Sequence, residues 1–259
     1  MKTTINRLLT LAVIAAASSI TAMAVKPLVV AHRGYWKAEG SAQNSIRAIA
    51  KADSVKCFGS EFDVWVTADG VVVVNHDPSI NDVVIETSNA DEVLAQTLSN
   101  GEHVPTLEAY LQEAVKYPDL QLVCELKPHT SNWRETVAIN EILRLMKEYN
   151  LENRVDYITF SKNGFKKLIK NAPQGTAVYY LDGDYVPEQI KFMGGAGIDY
   201  SIGAIRNHPE WIKQSHDLGL KVNVWTVNKT ADMQWCIDNG VDFITTNEPE
   251  KLQRLLDAK

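Results

Sequence analysis

Five side chains of this 259-residue sequence could do chemistry together: His32, Glu61, Asp63, His76 and Glu125. Each lies in or just after a short apolar run: LVVAHRG at 28–34, SEFDVWV at 60–66, VVVVNHD at 71–77 and LVCELK at 122–127. Such runs read as β-strands. An acid or imidazole in a strand is costly to bury unless it is paired or binds a cation. Glu61 and Asp63 are two residues apart and share one strand face, as do Glu125 and Lys127. Three carboxylates brought together raise one another's pKa values unless a cation neutralises them. Oxygen donors without a thiolate suit a divalent Ca2+ or Mg2+ ion. His32 and His76, flanking such an ion, can serve as general base and general acid near neutral pH. Arg33 and Lys127 can grip an anionic group, Arg33 with a bidentate fork. Hard cation, anion clamp and two histidines together point to phosphoryl chemistry on a small molecule. A surface acid network held by Lys and Arg is the competing reading, and the acids' place in strands rather than on helices speaks against it.

These groups need elements to converge. Strand-like segments fall at 28–32, 59–63, 120–126, 155–160, 175–181, 197–201, 220–226 and 241–245, with helix-like stretches between most of them. In 135–149, Ala138, Ile142, Leu145, Met146 and Tyr149 form a stripe of period near 3.6. Leu252, Leu255 and Leu256 mark a last helix, and Thr106 and Thr230 read as N-caps. Eight strands alternating with helices predict an α/β fold, a (β/α)8 TIM barrel, whose strand ends carry the site. An open doubly wound sheet is the alternative, but the sequence has no G-x-G-x-x-G or G-x-x-x-x-G-K motif. The stretch VWVTADGVVVVNHD breaks the alternation with a hairpin signal at Asp69-Gly70. A hairpin cannot lie inside an all-parallel barrel. With the irregular stretch 79–103 it should form a small insertion, about residues 64–103, over the C-terminal mouth. With Asp69 and Gly70 as a two-residue turn, Asp63 faces His76 across the hairpin. Trp225, ending a strand in KVNVWTVN, is a candidate pocket wall, as are Trp36 and Trp65. His129 could line the mouth, while His103, His208 and His216 read as solvated or packed.

The composition narrows the partners. Acidic residues outnumber basic ones, 32 to 26, for a net charge of −6, which argues against nucleic acid. Residues 1–24 read as an export signal: Lys2 and Arg7, an apolar stretch from Leu8 to Ala17, then Ala22-Met23-Ala24. The apolar stretch is too short for a stable membrane anchor. The expected mature chain, 25–259, is a single barrel domain located in the periplasm or outside the cell. Cys57, Cys124 and Cys236 lie far apart in apolar surroundings and read as buried free thiols, with one disulfide as the alternative.

At these residues the chain resembles the glycerophosphodiester phosphodiesterase family. The matching segments are AHRG at 31–34, SEFDVWVTADGVVVVNHD at 60–77, PTLEAYL at 105–111, ELKP at 125–128 and VWTVN at 224–228, in the family's order. The resemblance implies a barrel related to the phosphatidylinositol phospholipase C type. It implies a metal held by Glu61, Asp63 and Glu125, His32 and His76 as the catalytic acid/base pair, and Arg33 and Lys127 on the phosphate. It further implies cleavage of glycerophosphodiesters to glycerol 3-phosphate and an alcohol. Where the family shows E-N-T, this chain has Gln43-Asn44-Ser45; Asn44 is retained and is a candidate substrate contact. The stretch PSINDVVIETS after His76-Asp77 lacks the family's Arg-Thr pattern. Both departures alter the rim, which leaves other phosphodiesters open: lysophospholipids, glycosylated inositol phosphates or cell-wall polyol phosphates. A binding protein that holds a phosphorylated polyol without turnover is the non-enzymatic alternative.

Overall fold

The computed structural model describes residues 26–258, so the proposed export segment lies outside the described residues. In chain order the strands are β1 (Leu28–Ala31), β2 (Gly59–Val66), β3 (Val72–Val74), β4 (Ser79–Ile80), β5 (Val83–Val84), β6 (Gln121–Leu126), β7 (Val155–Thr159), β8 (Val178–Tyr180), β9 (Gly197–Ser201), β10 (Lys221–Trp225) and β11 (Phe243–Thr246). Eight of them run in the order β1-β11-β10-β9-β8-β7-β6-β2, each pairing parallel, and β1 pairs β2 at Val30–Gly59 and Ala31–Ser60 to close the ring. This is the expected (β/α)8 barrel, and the open sheet is excluded.

Alternation sorts the side chains. Phe62, Val64, Leu122, Cys124, Leu126, Tyr157, Tyr180, Ile198, Tyr200, Val222 and Val224 belong to one large buried cluster with the surrounding helices. Val30, Val123, Ile158, Tyr179 and Leu181 form a second, smaller cluster inside the barrel. Glu61, Asp63 and Glu125 alternate with members of the outer cluster, so they point toward the barrel axis. The outer layer comprises α1 (Ile46–Ser54), α3 (Leu107–Ala114), α4 (Asn132–Glu148), α5 (Lys162–Asn171), α6 (Pro187–Met193), α7 (Ile202–Asn207), α8 (Glu210–Asp217), α9 (Thr230–Asp238) and α10 (Pro249–Asp257), while α2 (Ala90–Leu94) belongs to the insertion. In α4 the expected stripe Ala138, Ile142, Leu145 and Met146 is buried, and in α10 Leu252 and Leu256 are. Thr106 caps α3 by accepting from the Ala109 N–H; Thr230, expected as a cap, is instead the first helical residue of α9, after Lys229. Cys57, Cys124 and Cys236 are free and buried.

The hairpin differs from its expected register. Val64 pairs with Val74, Trp65 with Val73 and Val66 with Val72, and the Asn75 N–H donates to the Asp63 carbonyl at 3.0 Å. Asp63 therefore opposes Asn75, not His76. The Thr67 N–H donates to the Val71 carbonyl, closing a three-residue loop of Ala68, Asp69 and Gly70, with Gly70 at φ 91°. The Asp69 carboxylate supplies the reason: it accepts from the Thr67 hydroxyl at 2.6 Å and the Ala90 N–H at 3.0 Å, tying the loop to α2. Pairing ends near Asn75, so His76 is free of strict alternation and still reaches the mouth. Trp65, Val73, Ile85, Val93 and Val104 give the insertion its own buried cluster. At the opposite end of the barrel, the Lys26 ammonium donates to the Leu256 carbonyl.

The turn after β1 depends on Gly34. Its φ is 70°, and its N–H donates to the Glu61 carbonyl at 2.9 Å. A Cβ there would stand 2.5 Å from Ala48 Cβ and 2.8 Å from the Ala48 carbonyl carbon. Gly34→Ala is expected to cost about 3 kcal/mol through left-handed strain and overlap. Chemical denaturation checks this, and an unchanged midpoint would contradict the close packing of α1 on this turn.

Candidate active site

The acids converge because β2 and β6 pair with Asp63 opposite Glu125, while Glu61 lies two residues back on the same face. One carboxylate oxygen of each residue lies within 4.8 Å of the others, and all three groups are buried. Asp63 is the best supported. Its Oδ1 accepts from Lys127 Nζ at 3.0 Å, and its Oδ2 accepts from Asn44 Nδ2 at 2.8 Å. Burial pushes the Asp63 carboxyl up, but Lys127, His76, Asn44 and Arg33 outweigh it and hold the group below the usual carboxylate range. Glu61 Oε2 accepts from the Arg33 N–H at 2.6 Å, while Oε1 is buried with no hydrogen-bond partner. Burial and the charges of Asp63 and Glu125 push Glu61 well above its ordinary value. Burial, then the charge of Asp63, pushes Glu125 up to about 8, although Lys127 Nζ is 2.8 Å from its Oε1.

Lys127 and Arg33 thus share three acids. Two of those acids are driven toward the protonated form, and one oxygen is orphaned. A divalent cation held by Glu61, Asp63 and Glu125 would offset this imbalance, and an all-oxygen donor set fits a hard ion. Donor number and chemistry therefore agree with the expected metal.

The histidines differ in environment. His32 follows β1, and its Nδ1 lies 2.8 Å from Asn247 Oδ1. The Trp36 indole N–H, which can only donate, reaches the same Oδ1 at 3.0 Å. Asn247 therefore presents its carbonyl oxygen, and His32 must carry its proton on Nδ1. Burial, then the Arg33 charge, lowers His32 to about 4, so the ring is neutral at pH 7 with Nε2 unprotonated. His76 is half-buried. Its Nδ1 lies 2.7 Å from Asp77 Oδ1, and the Trp65 indole N–H donates to its carbonyl at 3.2 Å. Burial lowers His76 as well, opposed by the charge of Asp63.

A pocket opens at this end of the barrel. His32, Arg33, Glu61, His76, Glu125 and Lys127 form one side; Ile158, Phe160, Leu181 and Trp225 form an apolar side; Asp199, Thr226 and Thr245 complete it. The Trp225 indole N–H donates to the Asp199 carbonyl at 2.8 Å, and Phe160 meets Trp225 edge-on at 5.5 Å. The expected residues His32, Arg33, Glu61, His76, Glu125, Lys127 and Trp225 thus share one cavity. Asp63 lies against them, only 1% exposed. Asn44, expected as a substrate contact, is placed otherwise. It is buried at φ 59°, outside the pocket lining, and both ends of its amide serve Asp63, since the Asp63 N–H donates to its Oδ1 at 3.2 Å. Arg33 also adopts left-handed backbone at φ 57° and donates from Nη1 to Gln43 Oε1, so the Gln43 departure touches the anion clamp directly.

His129 braces the rim from behind: its Nε2 accepts from the Val66 N–H at 3.1 Å, and its Nδ1 lies 2.7 Å from the Lys127 carbonyl. His208 stacks on Trp211 and His216 pairs with Asp242, both away from the pocket. Sequence reasoning missed Asn247, Asp199 and Thr245. The available signal was their position, at or just beyond strands that end at the mouth.

The chain is similar over most of its length to known phosphodiesterases. The model of the glycerophosphoryl diester phosphodiesterase family matches residues 32–251. A crystal structure of a glycerophosphodiester phosphodiesterase from Parabacteroides distasonis has a TM-score of 0.88 and 43% identity, covering 90% of this chain and 98% of that one. A glycerophosphodiester phosphodiesterase of Caldanaerobacter subterraneus subsp. tengcongensis is 29% identical over 252 residues, which is 90% of this chain and 98% of the relative. An Oleispira antarctica phosphodiesterase, solved with its product sn-glycerol-3-phosphate, shares the fold at a TM-score of 0.77 and 21% identity, covering 90% of this chain and 97% of that one.

The raised carboxyls would make binding of a cation at this site pH-dependent. Glu125 binds its proton more tightly folded than unfolded, so its contribution to the ion-free fold is full below the unfolded value of 4.5 and is lost as pH rises toward about 8. A cation needs the deprotonated form, so binding should release protons. The rise in melting temperature on adding Ca2+ or Mg2+ is expected to be larger at about pH 8 than at about pH 5.5, read by calorimetry. Equal shifts at both would contradict a site built from these carboxyls.

Proposed function

The chain belongs to the glycerophosphoryl diester phosphodiesterase family, a family of hydrolases, and from that premise we propose that it cleaves glycerophosphodiesters in a metal-dependent reaction with His32 as general base and His76 as general acid. The observation that carries this reading is the convergence of Glu61, Asp63 and Glu125 within 4.8 Å in a pocket shared with both imidazoles. The three carboxylates would hold the cation, Ca2+ or Mg2+, which when bound supplies positive charge to the phosphoryl oxygens.

The chain's own residues then have separable tasks. Arg33 and Lys127 hold the phosphate and balance its charge. His32, with its proton fixed on Nδ1 by Asn247, offers Nε2 to a hydroxyl of the glycerol moiety. That neighbouring hydroxyl attacks phosphorus, and the bond to the alcohol breaks. His76, on the more open side, passes a proton to the departing alkoxide. The cyclic phosphate is then opened by water, with the proton transfers reversed, to give glycerol 3-phosphate. Internal attack avoids the entropic cost of gathering a separate nucleophile. Asn247 acts through His32 by holding the ring orientation and tautomer. We also propose export of the enzyme, on the composition of residues 1–24 alone.

With Ca2+ or Mg2+, glycerophosphocholine should be hydrolysed to glycerol 3-phosphate and choline, read by phosphorus NMR. EDTA should abolish this, and His32→Ala should lower kcat by about 10²–10⁴-fold. Activity that survives both treatments would end the reading. Asn247→Ala should lower kcat by roughly 10- to 100-fold with little change in KM, since the substrate contacts stay in place while the base loses its orientation.

A further inference from the structure

A diester has two ends, and the pocket treats its two regions differently. Arg33, His76, Phe160 and Trp225 are partly exposed at the rim, whereas Asp199 and Thr245 are buried in the floor. On β9, Ile198 and Tyr200 join the core between barrel and helices, so Asp199 between them points to the barrel axis. Its Oδ1 accepts from Asn223 Nδ2 at 2.8 Å, and Asn223 is held in turn by Thr245, whose Oγ1 accepts from the same nitrogen at 2.8 Å. No lysine or arginine among the described residues forms an ion pair with Asp199, unlike Asp63, which has Lys127. Burial pushes its carboxyl up to about 7, and the charge of Asp156 adds to this. Its side chain is held through the Asn223 hydrogen bond and not through an ion pair with a lysine or arginine of the described residues. The same residue's carbonyl fixes the Trp225 indole, so one strand position sets both a hydrogen-bonding floor and an aromatic wall.

Resting on the function proposed above, we infer that Asp199 is the specificity-determining residue for the polyol end of the diester, its carboxyl group pairing with the terminal glycerol hydroxyl while the carbon chain of the polyol lies along Trp225. An enclosed floor of fixed shape suits the short constant part of the substrate, and the open rim accommodates the variable alcohol. A buried hydroxyl-pairing group discriminates strongly, because an analogue lacking the hydroxyl leaves that group without its partner.

The test compares two phosphocholine diesters, one of glycerol and one of propane-1,2-diol. The second keeps the hydroxyl next to the phosphate ester and lacks only the terminal one. The wild-type enzyme should favour the glycerol diester in kcat/KM by about 10- to 100-fold. Asp199→Asn and Asp199→Ala should lose most of that preference, by lowering kcat/KM on the glycerol diester and leaving the propanediol diester within about threefold of wild type. Asp199→Asn should melt no lower than wild type, since the amide keeps the Asn223 contact and removes a buried acid. Wild-type enzyme that cleaves both diesters equally would overturn the inference without any variant. So would variants that lose both activities in parallel, or that keep the preference. Failure of the wild type to cleave either diester would instead strike the proposed function.

Discussion

Mutual repulsion among Glu61, Asp63 and Glu125 is the constraint around which this molecule is arranged. Strand pairing places Asp63 opposite Glu125 and leaves neither able to retreat into solvent. The neighbours respond to that crowding. Lys127 reaches back to both acids of the pair, Asn44 gives both ends of its amide to Asp63, and the Arg33 backbone turns left-handed to bring its N–H to Glu61. Even so, one oxygen of Glu61 remains unpartnered. Such an arrangement is unfavourable by itself and persists because the barrel around it is tightly packed and cannot relax to separate the charges.

The two imidazoles share one cavity in different surroundings, and burial lowers both. His32 is deeply buried, beside the Arg33 charge, and anchored through Asn247 to Trp36. His76 is closer to solvent and bonded to Asp77. A ring that keeps a lone pair free and a ring that can recharge from water suit opposite halves of an acid/base exchange. The insertion that carries His76 has its own buried cluster around Trp65, so that ring is mounted on a packed element rather than a loose loop.

Much of this was legible before any coordinates. Barrel strands bury one face against helices, so their apolar runs announce themselves, and acids interrupting those runs stand out. Residues two apart in a strand share a face whatever the fold, which is why the Glu61–Asp63 and Glu125–Lys127 pairs could be read directly. The hairpin register could not, because Asp69-Gly70 is compatible with either loop length and the choice is made by Asp69 bonding Ala90, twenty-one residues away. The resemblance to the E-N-T motif points Asn44 toward the substrate, but a motif match carries no sign of the side chain's partner, which is Asp63. Asn247 and Asp199 carry no local sign of theirs either. Asn247 meets His32 across 215 residues of sequence, and Asp199 becomes unusual only once its surroundings are seen to lack a cation.

The contact between Lys26 and the carbonyl of Leu256 lies at the end of the barrel away from the pocket. Leu28 begins β1 there, and α10 finishes beside it. Lys26 and Ala258, the two ends of the described residues, therefore both lie at the back of the barrel. A tether joined at either of these two positions would leave the pocket facing outward, with access for substrate unobstructed.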